Sequence, residues 1–338
     1  MCKSLRYRLF LLLPMITILT GNIAYSQSDL SFTQHWEIPS FYNPSFTGES
    51  DYLRIRTGGR LQWVGIENYP KNIIGEAETP LKIAEKRIGT GVKFSYLTLD
   101  DYKNIYAGLQ GSYKFNLGKG RLSIGLEIGY FSTEFKQRDQ QPDKDPDQEF
   151  NTVATDDLLN PKMRELKGSS IDVSLGILYS IPVFHIGLSI LHITNPKIEL
   201  SGKEGYQEIS EYSENLKSNL RRSLYFDSGG NIKIHNTLFT LQPSLFLTTD
   251  FKDLNGQITM RTNYNGFLTF GLAYRWKHAI YGIIEVDYKN FFIGYSYGLP
   301  LSSYPGKSSG NHELILGYRL KLDFSSKNKY GQKSIRIM

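Results

Sequence analysis

Residues 121–130, RLSIGLEIGY, decide the reading of this chain. Leu122, Ile124, Leu126, Ile128 and Tyr130 take one set of alternate positions, and Ser123, Gly125, Glu127 and Gly129 take the other. Side chains along a strand point alternately to opposite faces, so the segment has a greasy face and a polar, glycine-rich face. Residues 313–320, ELILGYRL, repeat the pattern: Leu314, Leu316, Tyr318 and Leu320 oppose Glu313, Gly317 and Arg319, with Ile315 out of place. A soluble sandwich also alternates. Here the polar face carries charge and the apolar face ends in tyrosine, which points to an all-β fold, a transmembrane antiparallel β-barrel with an aromatic girdle at the interface.

The N-terminus agrees with an exported protein. Lys3, Arg6 and Arg8 precede an apolar run from Leu9 to Leu19, and Ala24-Tyr25-Ser26 supplies small residues for cleavage, so 1–26 reads as a secretory signal peptide. That run is shorter than the roughly 20 residues a spanning helix needs. Loss of 1–26 would remove Cys2, the only cysteine, and lower the formal net charge from +6 to +3 by taking Lys3, Arg6 and Arg8 with it. The mature chain then has no disulfide, and its weak charge balance gives no reason to expect nucleic acid. Aromatics make up 13% of the chain, a surplus that interfacial belts would use.

Strands are expected near 51–62, 71–80, 87–98, 102–115, 120–134, 170–181, 183–193, 221–235, 237–248, 257–263, 266–275, 279–288, 290–298 and 311–321. That is about 14, an even number; the second and tenth are the weakest, and losing one hairpin gives about 12. If the first strand starts in the periplasm, the tight turns near 117–120, 182, 235–236, 264–265 and 289–290 all fall on the periplasmic side. The long connections 135–169, 194–220 and 299–310 then fall outside, and both termini are periplasmic. The expected organisation is a signal peptide (1–26), an irregular aromatic segment at the barrel mouth or in the lumen (27–50), an outer-membrane barrel (51–322) and a periplasmic tail (323–338).

Two polar loops stand out. Residues 136–149 are charged and lack any apolar group, so they build no core. Asp143, Asp145 and Asp147 have the spacing of a calcium loop, but Gln148 and Ala154 stand where that loop needs Gly and Glu, so no metal is expected. Residues 203–222 are mixed in charge and carry no clear helix caps. The six histidines show no metal or hydrolase context, and no nucleophile elbow or phosphate loop is present, so neither an enzyme nor a cofactor is expected. Lys93, Lys114, Glu127, Asp172, Glu285, Asp287, Glu313 and Arg319 fall on the inner face. They serve either as a salt-bridged filling or as the lining of a solute path.

Four blocks in order carry a family resemblance. The first contains Asn43-Pro44 and Gly48 within 41–48, FYNPSFTG; the second is Arg60-Leu61-Gln62-Trp63-Val64-Gly65, followed by Pro70. The third is Ile293-Gly294-Tyr295-Ser296-Tyr297, and the fourth is 310–319, GNHELILGYR, with His312 and Glu313. Together they resemble the PorP/SprF family of the type IX secretion system of Bacteroidetes. The resemblance implies an outer-membrane protein that supports export or surface anchoring of a secreted partner, often a gliding adhesin, alongside other machinery components. It marks Asn43, Pro44, Gly48, Arg60, Gln62, Trp63, Gly65, Pro70, His312 and Glu313 as motif or partner-binding positions. For Trp63, Gly65 and Pro70 a shaped first extracellular loop is the alternative role. A channel for small or hydrophobic solutes is the alternative function.

Overall fold

Alternation of apolar and polar residues produces a closed wall. The computed structural model describes residues 32–83, 86–136, 165–199, 201–202, 217–301 and 308–322. Its strands are β1 (Tyr52–Leu61), β2 (Lys71–Ile83), β3 (Lys86–Leu99), β4 (Tyr102–Leu117), β5 (Gly120–Lys136), β6 (Glu165–Ile181) and β7 (Phe184–Leu191). They continue as β8 (Ser223–Gly230, prolonged by Ile232–Lys233), β9 (Phe239–Thr249), β10 (Leu254–Tyr264), β11 (Leu268–Arg275), β12 (Ala279–Tyr288), β13 (Phe291–Pro300) and β14 (Asn311–Lys321). Each pairs antiparallel with the next, and β14 returns to β1 from Tyr52↔Lys321 to Leu61↔His312. The described residues thus form a closed barrel of 14 strands, with no free edge and every neighbour paired.

The two strands weakest in sequence are both present. β2 runs 13 residues despite Pro80, and β10 runs 11, so the 12-strand alternative is superseded. The expected long strand over 221–235 is interrupted at Asn231, whose N–H turns away to the Val183 carbonyl at 2.9 Å. β6 starts earlier than expected, because the hairpin with β5 continues to Lys136↔Glu165. In the second polar loop, Lys217–Asn219 pairs with Lys197–Glu199 as a short antiparallel ribbon. The signal peptide, the aspartates of 143–147, residues 203–216 and the tail 323–338 lie outside the described residues.

β1 begins and β14 ends at one end of the barrel, called here the terminal end. The turns after β4, β6, β8, β10 and β12 lie at that end, and Asn236, Asn265 and Lys289 take positive φ there. β1, β3, β5, β7, β9, β11 and β13 end at the opposite, loop end, where the chain leaves for its longest connections after β5, β7 and β13. Short turns occur at both ends, but the longest connections leave from one end only, as the external loops of outer-membrane barrels do.

Outside, the wall is apolar: Leu109, Ile171 and Leu272 are each about two-thirds exposed, as lipid-facing groups are in the absence of lipid. Aromatic pairs mark both rims. Phe239–Tyr264 and Phe291–Tyr318 stand near the terminal end, with ring centroids 5.1 and 4.9 Å apart. Tyr102–Phe135 and Tyr297–His312 stand near the loop end, at 4.9 and 5.2 Å. Ile128 lies midway along β5 on this outer face. Ile128→Arg is expected to lower the unfolding free energy in lipid vesicles by about 2–4 kcal/mol. Denaturant titration of the vesicle-inserted protein measures it, and an unchanged midpoint would place the residue off the lipid face.

Candidate functional site

The strand register brings acids and bases together inside the barrel. On β1 the inward positions include Arg54, Arg56 and Arg60. β2 sets Glu76 opposite Arg56 and Glu78 opposite Arg54, while β14 sets Glu313 opposite Arg60. Directly opposed side chains of one face touch. Arg56 binds Glu76 and reaches Glu78 at 2.9 Å, and Arg60 lies 3.2 Å from Glu313. Farther round, Lys93 meets Glu127 at 2.8 Å, Arg261 meets Glu285 at 3.4 Å, and Asp287 pairs with Arg319. Asp172 accepts from His192 at 2.7 Å, and Lys114 lies 3.7 Å from Glu49. The eight inner-face charges read from the sequence therefore all have partners, and they form a salt-bridged filling.

Segment 32–50 completes that filling as a plug. It holds two short turns, α1 (Pro39–Tyr42) and a 3₁₀ turn (Pro44–Phe46), and enters β1 at the terminal end. Its Phe32, Ile38, Phe41 and Tyr42 bury against Ile74, Phe246, Phe292 and Ile315 of the wall. This contact explains Ile315, the residue out of step with its strand pattern. It faces inward because the plug offers it an apolar partner. His35 stacks on Phe246 at 4.4 Å, and burial drives its pKa down to about 4 against the pull of Asp227, so the ring enters the stack neutral.

Polar ties fix the plug to the wall. The Thr33 N–H and hydroxyl donate to Glu313 at 2.7 and 2.9 Å, and Gln257 donates to the Thr33 carbonyl at 2.8 Å. Trp36 donates to Glu285 at 2.7 Å beneath the Arg261 guanidinium, which sits 4.0 Å from the ring centroid. Ser40 donates to Glu76 at 2.8 Å, and Lys93 donates to the Phe41 carbonyl at 2.9 Å. At the terminal end, Glu49 gathers Arg121 at 2.6 Å and Ser180 at 2.9 Å. Acids of the wall thus serve twice, pairing with a cation and accepting from the plug.

The motif residues separate into two groups. Asn43, Pro44, Gly48, Arg60 and Glu313 meet inside the lumen. Asn43 Oδ1 caps the 3₁₀ turn by accepting from the Ser45 N–H at 3.0 Å, and its Nδ2 donates to the wall carbonyl of Ile177 at 3.2 Å. Pro44 and Asn43 lie so close to Gly125 and Gly176 that any side chain there would overlap them. Gly48 has φ +60°, a conformation that suits glycine, and its N–H donates to Glu78 at 2.9 Å.

The other group lies at the loop-end rim. Gln62 N–H donates to the Pro70 carbonyl at 3.0 Å, closing the first loop. Trp63 and Gly65 both have positive φ, and the Trp63 N–H donates to Asn311 at 3.0 Å. Val64 exchanges backbone hydrogen bonds with the 309–310 segment. His312 faces outward, its Nδ1 2.8 Å from the Tyr295 hydroxyl, while the adjacent Glu313 faces inward. Adjacent motif residues thus serve opposite faces of the wall. At the same rim Asp250 is held below the usual carboxylate range. Burial opposes this, and the N–H groups of Asp253 and Lys252 with the Arg221 guanidinium outweigh it.

The plug partners Arg56, Glu76, Glu78, Gln257 and Arg275 were not singled out in the sequence. For Arg56, Glu76 and Glu78 the signal was present in the charges at alternate positions of 52–61 and 71–80, where apolar alternation is poor. Among the described residues no three His, Cys, Asp or Glu side chains gather as a metal site.

Comparison with known proteins extends this picture. The chain is similar in structure to the toluene transporter TodX of Pseudomonas putida (TM-score 0.46, 9% identity, covering 87% of this chain and 95% of that one). It is also similar to the outer membrane protein Omp33 of Acinetobacter baumannii (TM-score 0.42, 8% identity, 80% and 99% covered). A third likeness is to the translocator domain of autotransporter NalP from Neisseria meningitidis (TM-score 0.41, 11% identity, 79% and 86% covered). No curated protein matches in sequence. Residues 24–318 match the family described as type IX secretion system membrane protein PorP/SprF. The chain belongs to the PorP/SprF family and is an outer-membrane protein of the type IX secretion system.

Proposed function

We propose that this barrel is a non-enzymatic accessory that supports export or surface anchoring of a secreted partner such as a gliding adhesin. One observation carries the reading. The lumen is taken up by a plug to which Asn43, Pro44 and Gly48 of the motif belong and which Glu313, paired with Arg60, helps hold, so that half of the motif marks a fixed platform and not a solute path. A barrel organised this way acts through its ends. The long connections of the loop end, and the rim around Trp63, Gly65 and Pro70, are the surfaces offered to an exported chain. The terminal end, where Glu49, Arg121 and Asp51 lie, is the surface offered to periplasmic machinery. The filled lumen supports this reading over a solute channel.

Deletion of the gene is expected to leave at least one surface protein inside the cell, with its display restored by the intact gene. Surface labelling followed by mass spectrometry measures this. Normal display of every cargo protein in the deletion strain would remove the proposal.

A further inference from the structure

Where the lipid-facing wall of β2–β6 reaches the loop end, its outward positions turn basic. Lys71 of β2 pairs with Thr98 of β3, and Thr98 pairs with Lys103 of β4. The row continues through Glu134 of β5 to Lys167 of β6. These five residues share the outer face with Ile73, Phe94, Ile105, Tyr130 and Ile171, which lie two or four positions along the same strands and are exposed. The row thus sets three lysines and one glutamate at the edge of the apolar surface. Near the terminal end the same strands align Leu81, Ile88, Tyr113, Ile124 and Ile177 in one row, without a charge. The two boundaries of this wall differ in chemistry.

Lys71, Thr98 and Lys103 form the centre of the basic row. Among the described residues Lys71 has no ion pair; its ammonium sits over the Tyr69 ring, 4.7 Å from the centroid. Lys103 reaches Glu134 only at 4.0 Å, with both side chains partly exposed, a pair worth little. The acids of the β3–β4 turn, Asp100 and Asp101, lie beyond the row on the loop side and pair with neither lysine. Adjacent strands are about 4.8 Å apart, so the two lysines leave the wall about 10 Å from each other with the Thr98 hydroxyl between them. Lysine stems bend toward the headgroup layer and can converge on one anion there. Without that anion the two ammonium groups repel each other beside a medium of low dielectric. Below Thr98 the wall presents Tyr96 between Ile73 and Ile105, then Phe94 between Gly75 and Ala107. Nothing lies within 4 Å of a Cβ built at Gly75, so the space beside the Phe94 ring is open to an acyl chain.

We infer that the outer face of β2–β4 binds an anionic, phosphate-bearing lipid of the outer leaflet, with its phosphate between Lys71 and Lys103 over Thr98 and its acyl chain along Tyr96 and Phe94. Charge complementarity selects the headgroup. The apolar rows directly beneath select a lipid over a soluble anion. The inference stands apart from the secretion reading, since it concerns the side of the wall and not its ends.

The test uses the whole protein in phosphatidylcholine vesicles, with spin-labelled phosphatidic acid as probe and electron paramagnetic resonance as readout. Lipid held at the protein surface gives a motionally restricted signal. Phosphatidic acid should associate about 5-fold more strongly than spin-labelled phosphatidylcholine, whose choline cancels the phosphate charge, since one lysine near an anionic surface is worth about that factor. Lys71→Gln with Lys103→Gln should bring the ratio close to 1, while Lys71→Arg with Lys103→Arg keeps it. Lys233→Gln with Lys289→Gln removes the same charge from exposed positions at the terminal end and should leave the ratio unchanged. A heat-dependent gel shift confirms that each variant keeps the barrel. An intact protein without preference for phosphatidic acid would overturn the inference. Full preference in the glutamine variant of Lys71 and Lys103 would do the same. So would an equal loss in the variant of Lys233 and Lys289, which would assign the preference to net charge.

Discussion

A chain lacking residues 33–48 is expected to conduct ions across planar bilayers in discrete openings, while the intact protein stays at baseline. The reason is size. Barrels of about 8 strands are filled by their own side chains, whereas those of about 16–18 leave an aqueous channel. This wall has 14 strands and needs extra material to be filled. The plug supplies it, with Ile38, Phe41 and Tyr42 of the deleted stretch at its centre. Without them the inward Arg56, Arg60, Glu76, Glu78 and Glu127 face water, a lining suited to hydrated ions. The wall should persist, since its strands pair with one another and the plug donates to it mainly through side chains. A folded deletion variant that stays electrically silent would show that the plug is not what fills the pore.

Glu313→Ala should loosen the plug more than any other single change in the lumen. The substitution takes away the carboxylate 3.2 Å from the buried Arg60 guanidinium and removes two hydrogen bonds from Thr33. Breaking one side of a buried pair costs about 3–5 kcal/mol, because the remaining charge stays desolvated. The loss should appear as faster amide exchange across 33–48, with exchange in the strand core unchanged. Replacing both partners, Arg60→Met with Glu313→Leu, should recover part of the protection, since no unpaired charge remains. If Glu313→Ala leaves exchange in 33–48 as it was, the pair does not hold the plug.

Residues 121–130 show why the wall was legible. Strand alternation has period two, and a lipid-facing side demands apolar groups at each outward position, so the pattern is written locally. The same reasoning found β2 and β10 only weakly. β2 carries Glu76, Glu78 and Pro80, which read as poor strand formers until their partners are known. The break in β8 at Asn231 follows Ser228-Gly229-Gly230, a local breaker signal, while the partner that fixes it, a carbonyl of the β6–β7 turn, is distant in sequence.

The motif residues divide along the same line. Asn43-Pro44 was recognisable as a block, yet its task depends on Gly125 and Gly176, more than 80 positions away. No spacing rule links such positions. Arg60 and Glu313 are 253 residues apart and meet only because β14 closes on β1.

The amino-acid order alone determined an apolar exterior, a polar interior, alternating short and long connections and therefore a membrane barrel, because each of these is a repeat read over neighbouring residues. Only the tertiary structure decided that segment 32–50 lies within the lumen, which acid pairs with which base, and which outward charges share a row. Those outcomes depend on register and closure, which bring together side chains from distant strands and which no local pattern encodes.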